Sequence, residues 1–182
     1  MTDLIGMSFV IGCLPVLNSE DQKMYWDLYE SIVTALRPED QHEYLLIKTI
    51  ADCDWQTIRY ERAKSRIIDL KFKEALKNVL CQLMEKGIIL ISAEHDADGL
   101  ARDWYADEET RKAINDHLFD YGLDELAVEA EAIRLAMKEL AALEQLVQSN
   151  ERRRSWAYRD LQMWREGKRF EQSARLKALP SM

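Results

Sequence analysis

The sequence predicts an all-α protein, built as a long antiparallel helical hairpin or bundle with shorter helices packed across it. Its 182 residues include only 6 glycines and 3 prolines, too few for the turns of a sandwich, a barrel or a doubly wound sheet. Two long stretches lack both residue types and carry apolar side chains at helical spacing. We therefore expect more than about 60% helix, against a base rate near one third, and no substantial sheet.

The first 18 residues are predicted to form an apolar N-terminal arm that packs on the body of the protein. The segment from Val10 to Cys13 resembles the cleavage box of a bacterial lipoprotein. A secretory signal needs a basic start, however, and no lysine or arginine precedes Lys23. The sequence also has no run of 18 apolar residues, so it predicts no transmembrane helix.

A first amphipathic helix is predicted from Glu20 to Arg37, with Ser19 as its N-cap. Pro38 ends this helix, because proline cannot continue the backbone hydrogen bonding. The expected apolar face recurs every four residues and consists of Met24, Leu28, Ile32 and Leu36.

A second, longer helix is predicted from Asp40 to about Lys86, with Gly87 as its C-cap. It carries two apolar stripes that are displaced from each other, so we expect it to twist around its partner or to break near Ser65. The first stripe consists of Ile47, Ala51, Trp55 and Ile58. The second consists of Ile68, Phe72, Ala75, Val79 and Leu83.

Three short elements are predicted to follow the second helix. Residues 88–91 are an apolar connector, residues 94–103 an acidic loop, and residues 107–119 a short helix that ends before Gly122.

The acidic loop offers candidate ligands for a divalent cation in His95, Asp96 and Asp98, although Gly99 does not fall where a calcium loop requires it. An enzyme would need a carboxylate or metal site assembled around residues 94–107. The sequence contains no G-x-S-x-G, no phosphate-binding glycine loop and no H-E-x-x-H. We therefore expect a non-enzymatic protein without a cofactor or metal.

The 3 cysteines are widely spaced and form no C-x-x-C pair, which excludes a zinc ribbon. Their odd number also argues against a disulfide framework. Free thiols in a reducing cytoplasm are the simplest interpretation.

A last helix is predicted from Leu123 to about Leu179, interrupted only at Gly167. Apolar residues at sevenfold spacing are typical of helices that lie alongside each other. The predicted seam consists of Leu126, Ile133, Leu140 and Val147, with Met137 and Leu143 between them.

Charge separates an acidic bundle, residues 19–150, from a basic helical extension, residues 151–182, that continues the last helix. The extension carries nine Lys/Arg and four acids, a net of +5, whereas the whole chain carries −8, which leaves −13 on residues 1–150. This asymmetry favours contact with another molecule, which includes a second copy of the chain. The alternative is that the basic extension folds back on the acidic part of the same chain.

The basic extension interleaves cations with aromatic residues, a pattern that suits phosphate contacts and stacking on unpaired bases. Two other interpretations are open. The residues Trp156, Met163 and Phe170, at sevenfold spacing, would form the buried stripe of an ordinary helix with a solvated basic face, or the basic face would dock a protein with an acidic surface. The candidate binding residues are Arg152, Arg153, Arg154, Trp156, Tyr158, Arg159, Trp164, Arg165, Lys168 and Arg169.

A second charged cluster has oppositely charged residues three and four positions apart, which is typical of an exposed helix face. Its members are Asp54, Arg59, Glu61, Arg62, Lys64 and Arg66.

Two stretches carry a family resemblance. One, from Leu14 to Glu61, includes Leu36, Arg37, Pro38, Ala51, Trp55 and Arg59. The other, from Tyr121 to Phe170, includes Gly122, Leu123, Leu140, Leu143, Arg152, Arg153, Ala157, Arg159 and Arg165. These stretches resemble a family of uncharacterised helical proteins common in rhizobia and related alphaproteobacteria. The resemblance implies a helical fold in a bacterial cytoplasm and supplies no catalytic residue. Many members begin with a basic Gly/Pro-rich segment suited to nucleic acid, where this sequence has its apolar arm.

The sequence therefore predicts a helical binding or assembly protein that acts through a protein partner or as a homodimer, away from the membrane. The alternative is an accessory protein that contacts nucleic acid through the basic aromatic helix. Exposed indoles at Trp156 and Trp164 favour nucleic acid, whereas buried ones favour packing.

Overall fold

The computed structural model describes residues 14–85 and 97–177, and 88% of these residues are helical. No strand occurs within these two ranges, so the predicted all-α class is confirmed. The predicted arm up to residue 13 and the connector at 88–91 lie outside the described residues. The described residues form six helices: α1 Gln22–Leu36, α2 Gln41–Glu85, α3 Ala97–Ala106, α4 Glu108–Asp120, α5 Glu125–Leu135 and α6 Met137–Lys177.

The described residues form two compact units. The first unit combines residues 14–60 with 145–177, and the second contains residues 61–144. Both divisions fall inside a long helix, α2 or α6. The break considered near Ser65 does not occur, because α2 is continuous from Gln41 to Glu85.

Helix α1 begins and ends at residues that satisfy its free backbone groups. Asp21, rather than the predicted Ser19, is the N-cap, and its carboxylate accepts a hydrogen bond from the backbone N–H of Lys23. Arg37 closes the helix in a left-handed conformation, with φ 48°, and Pro38 follows it. The predicted end of the helix is therefore correct.

The core of the first unit lies between α1, the first part of α2 and the second part of α6. Its buried residues are Tyr25, Tyr29, Ile47, Ala51, Trp55 and Leu161. The rings of Tyr25 and Trp55 meet edge to face with centroids 5.8 Å apart, and the Tyr25 hydroxyl donates to Asp52 Oδ1 at 2.6 Å. Of the predicted α1 face, Leu28, Ile32 and Leu36 pack against this core. The prediction is wrong at Met24, which is exposed while the adjacent Tyr25 is buried.

In this unit α6 runs antiparallel to α2, as predicted. Ion pairs join Glu43 to Arg165 and Asp54 to Arg154. Eleven residues forward along α2 thus correspond to eleven residues backward along α6, which fixes one register between the two helices.

The second unit has a core formed by the later part of α2, by α3, α4 and α5. Its buried residues are Ala75, Leu76, Val79, Leu80, Leu83, Ala97, Ala101, Trp104, Ile114, Leu118, Val128 and Ala132. The Trp104 ring stacks on Phe72, and its Nε1 donates to Asn115 at 3.1 Å. The second stripe predicted on α2 therefore faces this core, with Ile68 and Phe72 partly buried against it.

The acidic loop predicted at residues 94–103 is wrong from residue 97 onward, where α3 begins. Ala97, Ala101 and Trp104 recur at helical spacing and are buried, so packing on the core stabilises a helix that the acidic composition concealed.

The last predicted helix is observed as α5 and α6, separated at Ala136, and Gly167 does not interrupt α6. The predicted seam is wrong at Leu126, which is 68% exposed, and at the exposed Ile133 and Met137. Val147 of the predicted seam is buried as expected, and Val128, Ala132 and Ala136 are buried in place of the exposed positions. The small side chains of Ala132 and Ala136 are buried completely, which favours close approach to the neighbouring helices.

No described helix is both long enough and apolar enough to cross a membrane.

Candidate binding surface on the last helix

The candidate binding residues lie on different sides of α6. Arg154, Arg165 and Lys168 point toward α2, where each forms a salt bridge. Arg152 and Arg159, together with three large apolar side chains, lie on the opposite side of the helix. The two sides have different chemistry.

On the inner side, the carboxylate of Glu43 is fully buried and binds two cations. Its Oε2 accepts hydrogen bonds from Arg165 Nη2 at 2.7 Å and Nε at 3.0 Å, and its Oε1 accepts from Lys168 Nζ at 2.5 Å. Arg165 also donates to the carbonyl of Leu36, the last residue of α1. Burial alone raises the pKa of Glu43, but the bonds from the two cations hold it below its usual value.

Asp40 joins the same network. Its Oδ2 accepts from Lys168 Nζ and from Trp164 Nε1, each at 2.9 Å, and the Trp164 ring lies 4.5 Å from the ring of His42. Burial raises the pKa of Asp40, but the hydrogen bonds, first among them that of Trp164, lower it well below its usual value. Trp164 is therefore part of the fold, although its ring is partly exposed.

The third inner cation, Arg154, pairs with Asp54 at 2.6 Å. Tyr158 lies one turn further along α6 and is partly exposed. Arg169 borders a cavity of about 360 Å³ whose other lining residues are Leu36, Arg37, Glu39, Arg165, Lys168 and Gln172.

The opposite side of α6, which we call the outward face, carries Arg152, Trp156, Arg159, Met163, Glu166, Gly167 and Phe170, with Arg153, Asp160 and Glu171 along one edge. The stripe predicted to be buried is exposed here: Trp156 by 56%, Met163 by 69% and Phe170 by 77%. The fold instead buries Ala157 and Leu161 on the other side of the helix. The small side chain of Ala157 lets α6 lie closer to its neighbours than an indole would.

Charged groups on the outward face are not neutralised by the fold. Among the described residues, no carboxylate forms an ion pair with Arg152, Arg153 or Arg159, and no cation forms one with Glu166 or Glu171. Arg152 donates only to the backbone carbonyl of Gln148, one turn earlier on the same helix. The sequence identified the arginines but not the acids of this face. The acids could have been identified from their helical position beside the apolar stripe.

The second charged cluster is more than the exposed face predicted for it. Arg59 donates two hydrogen bonds of 2.7 Å to Glu20, which lower the pKa of Glu20 to about 2, and Arg59 also bonds the carbonyl of Pro15. In the second unit, Lys64 donates to Glu61 and to Glu144. The sequence did not reveal these long-range partners.

Of the candidate metal ligands, His95 and Asp96 lie outside the described residues, and Asp98 pairs with Lys77 and Arg102. The described ranges contain no group of three or more His, Cys, Asp or Glu residues arranged to hold a metal ion. Cys53 is buried as a free thiol, and Cys81, also free, is partly buried.

Comparisons with protein-family models, with curated proteins and with solved structures gave no match.

Proposed function

We propose that this chain is a non-enzymatic helical binding or assembly protein of the bacterial cytoplasm, which docks another protein chain through the outward face of α6. The observation that carries the proposal is the exposure of Trp156, Met163 and Phe170 on a helix whose other side already holds the core. Apolar side chains grouped on one surface mark interaction sites, because burying them against a partner is favourable.

The spacing of these side chains suits a helical partner. Each lies seven residues from the next, which is about 10.5 Å along the helix at a rise of about 1.5 Å per residue. A straight seam with this repeat is the pattern by which two helices pack side by side. An α-helix of the partner can therefore lie along the whole row.

Charge selects among such partners. Arg152, Arg153 and Arg159 have no acidic partner among the described residues, so they attract a surface that presents carboxylates next to apolar groups. The inner cations do not contribute, because Arg154, Arg165 and Lys168 are already paired with acids of α2 and of the segment before it.

Affinity capture from the source cell tests this function. The tagged wild-type chain should retain a protein, whether a second copy or another chain, that Met163→Glu loses. Met137→Glu is the matched control, because Met137 is also an exposed methionine of α6 but lies outside the outward face. Equal recovery with Met163→Glu and wild type would contradict the proposal.

A second candidate function is contact with nucleic acid, which the exposure of Trp156 favours. Arg152, Arg153 and Arg159 lie within one turn of this indole, so a base stacked on the ring would have phosphate ligands beside it. Fluorescence anisotropy with a single-stranded oligonucleotide at about 150 mM salt tests this function, because phosphate contacts make affinity fall steeply with salt.

The informative variant for that test replaces Arg152, Arg153 and Arg159 with alanine. Arg154 should be left intact, because it forms a salt bridge with Asp54 and its loss would also affect stability. Sub-micromolar binding by the wild type that this triple variant abolishes would support nucleic-acid contact over the protein partner.

A further inference from the structure

We infer that the partner of the outward face is a second copy of the same chain, paired antiparallel about a twofold axis that passes beside Met163. This inference rests on the proposed function and names its partner. It follows from the order of residues along the face. When one of two such helices is reversed, apolar residues lie opposite apolar residues and Arg159 lies opposite Glu166.

The apolar residues are symmetric about Met163. Trp156 lies seven residues before it and Phe170 seven residues after it. In an antiparallel pair with the two copies of Met163 in contact, Trp156 of each copy therefore faces Phe170 of the other. All three side chains are then covered by apolar groups of the second copy, whereas each is more than half exposed in the single chain.

The charges on the face are complementary under the same operation. Arg159 lies four residues before Met163 and Glu166 lies three residues after it, on the same side of the apolar row. Reversal of the second helix brings Arg159 to within about 1.5 Å, along the axis, of the level of Glu166 in the other copy. On the other side of the row, the levels of Arg153 and of Glu171 in the other copy differ by about 3 Å. A twofold axis generates each pair twice.

The pairs of Arg159 with Glu166 form only when the two helices run antiparallel. In a parallel pair about a twofold axis along the helices, the side of the apolar row that carries Arg159 and Glu166 in one copy faces the other side of the row in the second copy, so these residues would not meet. The antiparallel arrangement brings them together twice. The antiparallel dimer is therefore the arrangement in which these two charges pair with each other.

Sedimentation equilibrium of the full chain with charge exchange tests the inference. The wild type should be a dimer at micromolar concentration. Arg159→Glu and Glu166→Arg should each weaken association by roughly tenfold or more, since each creates two repulsive contacts. The double variant should return to within about threefold of the wild type, because the two exchanges restore the pairs on both copies. A monomeric wild type, or a double variant as weak as the single ones, would overturn the inference.

Disulfide trapping tests the direction of pairing. Met163→Cys should form a linked dimer, because the two copies of this residue meet at the axis. Trp156→Cys should not link to itself, since its two copies lie 14 residues apart, or about 21 Å. Peptide mapping identifies the linked residues and separates them from native thiols. A link between two copies of residue 156 would show parallel pairing and refute the antiparallel dimer.

The inference and the proposed function can fail separately. A chain that is monomeric in sedimentation but still captures another protein in a Met163-dependent way would refute the second copy and leave the proposed function standing. Binding of an oligonucleotide by a monomeric chain would refute both. Circular dichroism should show that each variant keeps the helix content of the wild type, which the exposure of these positions leads us to expect.

Discussion

The guanidinium of Arg165 on α6 donates two hydrogen bonds to the carboxylate of Glu43 on α2, and no part of Glu43 is exposed to solvent. Lys168 binds the other carboxylate oxygen, so a buried anion is surrounded by two cations. A buried ion pair adds little net stability over apolar packing, but removal of one partner is strongly destabilising because the other charge stays buried. We infer that this contact fixes the register of the two helices.

Replacement of Arg165 with alanine should lower the free energy of unfolding by roughly 3–5 kcal/mol, because the charge of Glu43 would stay buried with only Lys168 to balance it. Chemical denaturation measures this loss. Lys23→Ala is the control, since it removes an exposed salt bridge to Asp27 and should lower stability far less than Arg165→Ala. Similar losses in the two variants would show that the Glu43 contact is not special.

Acid should destabilise the first unit through Glu20, whose pKa the hydrogen bonds from Arg59 lower from 4.5 to about 2. Because the pKa is lower in the folded state, the Glu20 carboxylate stabilises the fold at pH values above 4.5, its pKa in the unfolded chain. This contribution is lost as the pH falls from 4.5 toward 2. The amount at neutral pH is on the order of 3 kcal/mol. The side chain is only 7% exposed, so screening by solvent is weak.

Unfolding free energies of the wild type and Glu20→Gln, measured from pH 7 to pH 2, test this assignment. The variant should be less stable at neutral pH, and its stability should fall less between pH 5 and pH 2. Identical pH profiles would mean that another carboxylate dominates acid unfolding.

Trp156→Ala should change the unfolding free energy by less than about 1 kcal/mol, because the indole is mostly exposed and forms no hydrogen bond to a described residue. Trp55→Ala is the matched comparison in the same unit. Its indole is buried and donates to Glu20, so truncation should cost roughly 3–5 kcal/mol. Thermal unfolding at a concentration below dimer formation measures both. A larger loss at Trp156 would place that indole in the core after all.

The contrast between these two tryptophans shows what the sequence predicts and what it leaves open. The scarcity of glycine and proline correctly predicted the continuous helix α2, and the stripe from Ile47 to Trp55 faces the core as expected. Sequence spacing did not show which side of α6 is buried, because Trp156 and Ala157 lie on different sides and both fit an apolar repeat. Ala157 is the buried residue, because a small side chain fits where α6 lies close to its neighbours.

For the candidate binding surface, the sequence identified the cations but not which of them form salt bridges within the chain. All the cations of the basic extension were identified from composition, yet Arg154 and Arg165 turned out to be bound by Asp54 and Glu43. These partners lie 100 and 122 residues away in the sequence, and only the antiparallel register brings them opposite the cations. The expectation that the basic extension would fold back on the acidic part is thus met for the inner cations alone.

Alanine at the two described glycines that lie next to open space should act in opposite directions. Gly167→Ala should stabilise the monomer by roughly 0.5–1 kcal/mol, because the backbone is helical and nothing lies within 4 Å of the new methyl group. Gly122→Ala should destabilise by about 1 kcal/mol or more, because this residue has φ +70°, which disfavours a side chain. Urea unfolding of dilute protein gives both values. Destabilisation by Gly167→Ala under these conditions would mean that the helix is strained there.

Asn150 is the buried residue whose replacement should improve the fold. It lies on the inner side of α6 between Val147 and Arg154, is 4% exposed, and its amide Nδ2 has no hydrogen-bond partner among the described residues. An unsatisfied buried donor costs about 1–3 kcal/mol, and leucine has a similar size without that cost. Asn150→Leu should therefore raise the unfolding free energy by about 1–2 kcal/mol, seen as a higher urea midpoint with an unchanged slope.

Asn150→Asp is the companion variant, because it keeps the shape and places a carboxylate at the same buried position. It should lower the urea midpoint at neutral pH and recover as the acid is protonated, since burial disfavours the charged form. A lower midpoint for Asn150→Leu would instead show that the amide contributes to stability.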